Sequence, residues 1–228
     1  MVVITQKLKE LFVKNGISEN KILVAPDAVD LEKFDIKETQ EECRKRLNLP
    51  LDKKIVLYTG HLYQWKGTST LIEAARHLPK EVEIYFVGGT KRDLANVKSQ
   101  MSSVKFIGQR PHSEISYWLK AADVLVLPNS GKEEISKSWT SPLKLFEYMA
   151  SKRPIVASDL PSLREILNEN NAVLVRPDDQ ESLAQGIKRV LEDKDLAEKI
   201  SNRAFQNVQN HTLEKRAENI LKFISQNL

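Results

Sequence analysis

One helical segment near residue 145 carries the side chains best suited to binding a charged ligand. It begins Ser141-Pro142-Leu143-Lys144 and continues to Glu147. We predict Ser141 as the N-cap and Pro142 as the first helical residue, which leaves amides near Leu143 and Lys144 free for phosphate oxygens. Glu147 lies five residues beyond Pro142, about 7–8 Å along the axis, roughly the offset between a nucleotide's diphosphate and its ribose. A carboxylate there can accept hydrogen bonds from both ribose hydroxyls.

A second candidate anion site lies earlier in the chain. Gly60 permits a sharp turn after an apolar run, His61 follows it, and Lys66 stands where the next helix should begin. An ordinary turn with an exposed lysine fits this pattern equally well, and a surface glutamate fits Glu147. Gly88-Gly89 follows the next apolar run, and it is only a weak indication of a loop that passes close to a ligand or to a neighbouring loop. The dinucleotide fingerprint G-x-G-x-x-G does not occur, which disfavours a dehydrogenase.

The elements that must position these residues alternate regularly between strands and helices. Apolar runs predict strands, and amphipathic patterns between them predict helices, which together indicate an α/β fold with a Rossmann-like parallel sheet and helices on both faces. An arm precedes this unit: a strand, a short helix and a second strand near Lys21–Ala25. The predicted strands are Val2–Ile4, Ile55–Tyr58, Val82–Val87, Val104–Ile107, Val124–Leu127, Ile155–Ala157 and Ala172–Val175, and the helices are near 67–78, 91–101, 113–122, 142–151 and 161–168.

In such sheets, ligands bind at the carboxyl ends of the strands. The loops after Tyr58, Val87, Ile107 and Leu127 are therefore expected to form one site. The last of them, Pro128–Ser141, shows no periodic pattern, and a loop of that length in a compact domain is usually functional or mobile.

Composition excludes several other classes of protein. The net charge is +4, from 35 basic against 31 acidic residues that are interleaved along the chain, which argues against a nucleic-acid groove. No apolar run reaches the roughly 18 residues of a membrane span, and no signal peptide is recognisable. Cys43 is the single cysteine. We therefore expect a cytoplasmic protein without a metal site, and we interpret Asp193-Lys194-Asp195 as a solvated connection between helices.

The ordered set of motifs resembles the carboxy-terminal domain of family 4 glycosyltransferases of the GT-B fold. The resemblance covers nearly the whole chain from about Leu8 to Ile224. It is carried by Pro26-Asp27-Ala28-Val29-Asp30, Gly60 with Lys66-Gly67, Ala122-Asp123-Val124-Leu125-Val126-Leu127-Pro128, the segment Ser141–Ala150, Pro154-Ile155-Val156-Ala157-Ser158-Asp159 and Arg164-Glu165-Ile166.

The resemblance implies a retaining transferase that takes a sugar from a UDP- or GDP-linked donor, with no metal and no further cofactor. It implies that residues 36–228 bind the nucleotide sugar and that residues 1–35 form an inter-domain arm packed on the same domain. By position, the donor's diphosphate would be bound by Gly60, His61, Lys66, Ser141, Leu143 and Lys144, its ribose by Glu147, and its base by Ile107 and Gly108.

Three features depart from the family pattern. His61 stands where the family commonly has arginine, and Trp139 stands where it has a glutamate eight positions before Glu147, so no catalytic carboxylate is assigned. A GT-B enzyme also has an amino-terminal acceptor domain. The resemblance implies that this half, or a separate subunit in its place, is the partner of the chain, and that any peripheral membrane contact would be made through it.

Two other functions remain open at this stage. A non-catalytic nucleotide-sugar-binding module fits Trp139 and the absent domain. A basic nucleic-acid-binding domain fits the pI near 9.0, but the interleaved charges oppose it.

Overall fold

A computed structural model describes residues 1–90, 93 and 101–227 of the chain. Its centre is a parallel sheet of six strands with helices on both faces, which confirms the predicted fold class. The strands are β3 Lys54–Thr59, β4 Val82–Val87, β5 Val104–Gly108, β6 Val124–Leu127, β7 Ile155–Ser158 and β8 Val173–Val175. The preceding strands β1 Val2–Val3 and β2 Leu23–Val24 pair with each other in a separate parallel sheet.

The strand order, which the sequence left open, is β5-β4-β3-β6-β7-β8. The chain builds outward from β3 to β5, then returns to the other side of β3 to begin β6. The connections therefore diverge between β3 and β6, and the crevice at the carboxyl ends of these two strands is where a doubly wound sheet binds ligands.

The helices follow the predicted alternation, with shorter bounds at several places. The predicted helix at 91–101 lies outside the described residues except for Asp93, which is helical, and Met101, which is not; the helix predicted at 161–168 spans only four residues. The helices are α1 Gln6–Lys14, α2 Gln40–Arg46, α3 Thr68–Ala74, α4 His112–Ala121, α5 Leu143–Ala150, α6 Pro161–Arg164, α7 Gln180–Glu192, α8 Lys194–Val208 and α9 Leu213–Gln226.

Two apolar layers cover the sheet because side chains alternate along each strand. In β3, Ile55 and Leu57 pack into one layer together with Phe146 of α5. Val56 and Tyr58 pack into the other layer, which includes Leu71 of α3. A strand that is apolar on both faces must be covered by helices on both sides of the sheet. The apolar run that predicts this strand therefore also predicts that both of its faces are buried.

The amino-terminal arm is attached to this sheet domain by backbone hydrogen bonds. The N–H of Val29 donates to His211, and the N–H of Leu213 donates to Val29. The N–H of Gln6, at the start of α1, donates to the carboxylate of Glu165 at 2.9 Å. These contacts join the arm to the domain, and a boundary near residue 35 stays a prediction.

Helices α1 and α9 leave their apolar residues in solvent. Neither has a buried residue, although α9 carries an apolar stripe that includes Leu213, Leu221 and Ile224. Leu221 is 67% exposed, and Leu11, Val13, Leu213 and Ile224 are also exposed. No helix in the described part of the chain is long and apolar enough to cross a membrane.

Candidate functional site

A pocket of about 690 Å³ follows the carboxyl edge of the sheet, from the loop after β5 to the loop after β6. It brings together most of the predicted site residues from distant parts of the chain. The lining residues are Ile4, Asp27, Thr59, Gly60, His61, Lys66, Val87, Gly88, Gly89, Gln109, Arg110, His112, Ile115, Thr140, Ser141, Pro142, Leu143, Lys144 and Glu147.

Glycines let the loops at the divergence of β3 and β6 approach closely. Gly67 has φ 68° and serves as the N-cap of α3, and a Cβ built on it would lie 1.8 Å from the carbonyl oxygen of Pro128. Gly60 has φ 115°, and a Cβ there would lie 2.8 Å from Nζ of Lys144. Both glycines have a positive φ that other residues rarely adopt, and at Gly67 the contact with fixed backbone also leaves no room for a side chain.

The ammonium group of Lys144 is buried without a hydrogen-bond partner. Its Nζ is inaccessible to solvent and bonds to no atom of the described residues. It lies 3.7 Å from the ring centroid of Tyr58, beneath Gly60. A buried cation of this kind is costly unless an anion reaches it. Burial first, and then the positive charge of Lys66, hold the pKa of Lys144 well below its usual value, while Glu147 acts in the opposite direction.

Lys66 supplies a second cation to the same pocket. It ends a short 3-10 turn, Gln64–Lys66, just before α3. Its Nζ lies 3.8 Å from the ring centroid of Trp65. Burial lowers the pKa of Lys66 to about 8. Two lysines that repel each other in a partly dehydrated pocket form a site prepared for an anion.

The start of α5 differs from the prediction. The helix begins at Leu143, and the N-cap is Pro142, whose ψ of 123° is extended. Ser141 is therefore not the N-cap. Its Oγ instead accepts a hydrogen bond of 3.0 Å from the N–H of Asp27. Because Pro142 is itself extended, the helix can begin only after it, which places Ser141 one residue too early to be the cap. The first-turn amides of Leu143 and Lys144 still lack intrahelical acceptors.

Glu147 lies one turn beyond Lys144 on α5 and also lines the pocket. Its Oε1 is 2.8 Å from Nε2 of His112, at the start of α4. The Glu147 side chain is largely buried, whereas that of His112 is 63% exposed. One carboxylate oxygen is therefore paired with a histidine that our sequence analysis had not assigned to the site.

Ile107 and Gly108, the residues predicted to contact the base, do not line the pocket. Ile107 is packed against the core, and the carbonyl of Gly108 accepts a hydrogen bond from Gly88. The residues that follow β5, Gln109 and Arg110, line the pocket instead. The end of β5 remains the predicted place for the base, with these two residues nearer to it.

His61 lines the pocket but is turned toward neighbouring side chains. Its ring stacks on Tyr63 with centroids 5.0 Å apart, and its Nδ1 lies 3.8 Å from Oδ2 of Asp93. A role for His61 at a diphosphate stays a prediction.

The long loop contains more structure than its sequence pattern indicated. Residues Ile135–Trp139 form a π-helical turn, so Pro128–Ser141 is not wholly irregular as predicted. Trp139 is partly exposed and does not line the pocket. Glu133 and Glu134, the two acidic residues of this loop, do not line it either. π-Turns have no simple residue period to detect, since they are short and occur inside other structure.

Asp27 also lines the pocket, although the sequence analysis gave it no chemical role. It lies three residues beyond the end of β2, and this position shortly after a strand was the available signal. The D-x-D sequence near residue 194 has a structural role, because the Asp193 carboxylate caps α8 by accepting from Leu196 at 2.9 Å. Among the residues that the structure describes, no cluster of histidine, cysteine and acidic side chains is placed to hold a metal ion.

Comparison with known proteins gives a consistent picture. A family model described as "Glycosyl transferases group 1" matches residues 53–193. TuaC of Bacillus subtilis, a glycosyltransferase provisionally named for teichuronic acid biosynthesis, is 28% identical over 211 residues, which cover 92% of this chain and 51% of TuaC. This chain spans about half the length of the curated relatives it matches.

Solved structures share the fold. Sucrose-phosphate synthase of Thermosynechococcus elongatus superposes with a TM-score of 0.79 at 26% identity, covering 99% of this chain and 57% of that one. HepE of Anabaena, solved in complex with UDP-glucose, gives a TM-score of 0.83 at 21% identity, covering 99% of this chain and 63% of HepE.

Proposed function

Because this chain belongs to the group 1 glycosyltransferase family, we propose that it is the donor-binding half of a retaining transferase whose donor is a UDP- or GDP-linked sugar. The observation that carries the proposal is the ammonium group of Lys144, buried without a partner beside Lys66 where the sheet's connections diverge. A diphosphate supplies the charge and the acceptor oxygens that both lysines lack.

The remaining contacts follow from the placement of this diphosphate. The free amides of Leu143 and Lys144 face phosphate oxygens at the start of α5. Gly60 and His61 border the same space from the loop after β3. Glu147, about 4.5 Å further along the helix axis than Lys144, reaches the ribose hydroxyls with the oxygen that His112 does not occupy. The base then lies toward the loop after β5.

The same groups would also assist the transfer. Negative charge develops on the diphosphate as the sugar departs, and fixed cations and amides at that point stabilise the transition state more than the bound donor. No metal is needed for this role in the proposal, because the two lysines act on the leaving group directly.

The acceptor half is proposed to be a separate unit that docks on the exposed apolar residues of α1 and α9. The chain spans 51% of TuaC, so a second half of comparable size exists in that relative. Exposed leucine, valine and isoleucine side chains on these two terminal helices suit burial by a partner. We place the protein in the cytoplasm, with any contact at a membrane surface made by the acceptor half.

Calorimetric titration tests the donor site. UDP, GDP and ADP are titrated into the chain and into the variants Lys144→Met and Lys66→Met, with Lys199→Met on the exposed face of α8 as the matched control. We expect one nucleotide to bind the unaltered and control proteins, and each pocket variant to lose affinity about tenfold or more, since each removes a charge-assisted contact. A folded chain that binds none of the three would contradict the proposal.

A non-catalytic binding module is the second candidate, favoured by Trp139 at the position where the family has an acid. Supplying the amino-terminal half of a relative separates the two functions. Turnover supports the transferase, whereas donor binding without turnover by the assembled halves supports the module.

A further inference from the structure

The residues that line the pocket follow one another along the carboxyl edge of the sheet. Arg110 and His112 lie at its β5 end, and Glu147, Lys144 and Lys66 occupy the middle. The β6 end is formed by residues 140–143 and, from the arm, by Ile4 and Asp27. A nucleotide with its ribose at Glu147 and its phosphates at the lysines therefore extends its sugar toward the β6 end. The group that meets this sugar should belong to the arm or to the start of α5.

Asp27 is fixed in place at that end. Its backbone N–H donates to Oγ of Ser141 at 3.0 Å, and the carbonyl of the preceding Pro26 accepts a hydrogen bond of 2.8 Å from Nε of Arg216. The arm is thus held from both sides, by the start of α5 and by α9. The position of the Asp27 carboxylate depends on these two contacts rather than on a flexible loop.

The carboxylate of Asp27 itself is open to a ligand in the pocket. It is partly buried, and no donor within the described ranges hydrogen bonds to it. Burial raises the pKa of Asp27, and the charge of Arg216 opposes this only in part. A partly dehydrated carboxylate without donors is stabilised by any ligand that brings hydroxyl groups to it.

We propose that Asp27 binds the transferred sugar, with its carboxylate accepting hydrogen bonds from one or two of the sugar's hydroxyls. This assignment rests on the proposed donor site. The pocket's other carboxylate, that of Glu147, is paired with His112 near the ribose, and Glu133 and Glu134 do not line the pocket. Asp27 is therefore the acid available to a sugar at this end, in a chain that has Trp139 where the family has its second glutamate.

Calorimetry with matched ligands separates a sugar contact from a phosphate contact. The affinity of the preferred nucleoside diphosphate is compared with that of its nucleotide sugars: UDP-glucose, UDP-galactose and UDP-N-acetylglucosamine, GDP-mannose, or ADP-glucose. The variant is Asp27→Asn, which keeps the size of the side chain. The control is Asp30→Asn, three residues away, where the carboxylate is paired with Lys33 outside the pocket.

We expect Asp27→Asn to bind the nucleoside diphosphate within about twofold of the unaltered chain and to lose about tenfold in affinity for the preferred nucleotide sugar. Retained diphosphate binding also shows that the variant is folded. The Asp30→Asn control should change neither affinity. With a donor whose sugar lacks the contacted hydroxyl, Asp27→Asn should cause a smaller loss of affinity, because the variant and the deoxy donor remove the same interaction.

Two results would overturn the assignment. Equal weakening of diphosphate and nucleotide sugar would show that Asp27 acts on the phosphates or on the fold. If Asp27→Asn prefers the nucleotide sugar over the nucleoside diphosphate as strongly as the unaltered chain does, the sugar lies elsewhere. If the unaltered chain binds no nucleotide, the proposed donor site itself fails, which is a different outcome from either of these.

Discussion

His112 Nε2 lies 2.8 Å from Glu147 Oε1, so the start of helix α4 and helix α5 meet at the pocket. The contact occupies one carboxylate oxygen and orients the other. A ribose has two neighbouring hydroxyls, and an oriented acceptor distinguishes it from a deoxyribose.

Replacing Glu147 with glutamine should remove this discrimination. We expect the unaltered chain to bind the preferred ribonucleoside diphosphate about tenfold more tightly than its 2′-deoxy form, because a charged acceptor would lose one hydroxyl donor. In Glu147→Gln that ratio should approach one. Calorimetry with both nucleotides measures it, and Glu214→Gln on the exposed part of α9 is the control. A ratio preserved in the variant would place the ribose away from Glu147.

Replacing Lys144 with methionine should stabilise the ligand-free chain while weakening nucleotide binding. Folding lowers the pKa of Lys144, so the charged form is disfavoured in the folded state. Below its folded-state pKa the group destabilises the fold, and this penalty fades as the pH rises toward the unfolded value near 10.5. Removing an unpaired buried charge should raise the free energy of unfolding at neutral pH by about 1–3 kcal/mol.

Urea denaturation of Lys144→Met with and without nucleotide measures both effects. Lys199→Met should be neutral in each. A destabilised Lys144→Met that still binds nucleotide would mean that the ammonium group supports the fold rather than the ligand.

Nucleotide affinity should fall as the solution becomes alkaline. The pKa of Lys66 is lowered to about 8 by burial, so the free chain loses this charge above that pH, whereas the bound anion favours the protonated form. Raising the pH from about 7 to about 9 should weaken diphosphate binding by up to roughly tenfold, with proton uptake on binding. In Lys66→Met, binding is weaker at the start and the change near pH 8 should disappear. A flat profile in the unaltered chain would contradict the assignment.

Replacing Gly67 with alanine should be much more damaging than the same change at Gly16. Both glycines have positive φ, so each substitution incurs the left-handed backbone penalty of about 1–2 kcal/mol. A Cβ at Gly16 meets nothing within 4 Å, whereas at Gly67 it would lie 1.8 Å from the Pro128 carbonyl oxygen. Gly67→Ala should therefore cost at least about 2 kcal/mol more. Chemical denaturation of both variants compares them, and equal losses would show that the loops separate easily.

The sheet was predictable because its strands are short apolar runs bounded by turns, and a run such as residues 55–58 fits only a position buried on both faces. The placement of Lys66 and Glu147 at one pocket was predictable for a different reason: Lys66 stands just before a helix that follows a strand, and Glu147 lies about one turn into another such helix. The strand order was not predictable, since no single apolar run indicates which strands lie beside it. The His112–Glu147 and Asp27–Ser141 contacts join residues 35 and 114 positions apart, and no local period records such pairings.

The start of α5 shows where a local rule fails. Ser-Pro before an apolar run resembles a capped helix, but the serine hydroxyl is engaged by the arm's Asp27. A tertiary contact replaced the local hydrogen bond that the pattern predicted, and the helix begins at Leu143, one residue later than a Ser141 cap would require.

The two lysines hold the part of the donor that remains after the sugar has left. If they bind diphosphate as proposed, the nucleoside diphosphate that departs last keeps every contact at Lys66 and Lys144 and gains a negative charge on its terminal phosphate. It should therefore compete strongly with fresh donor. Release of the nucleoside diphosphate would then limit turnover of the complete enzyme. A second enzyme that breaks down this product would raise the rate without acting on the transferase itself.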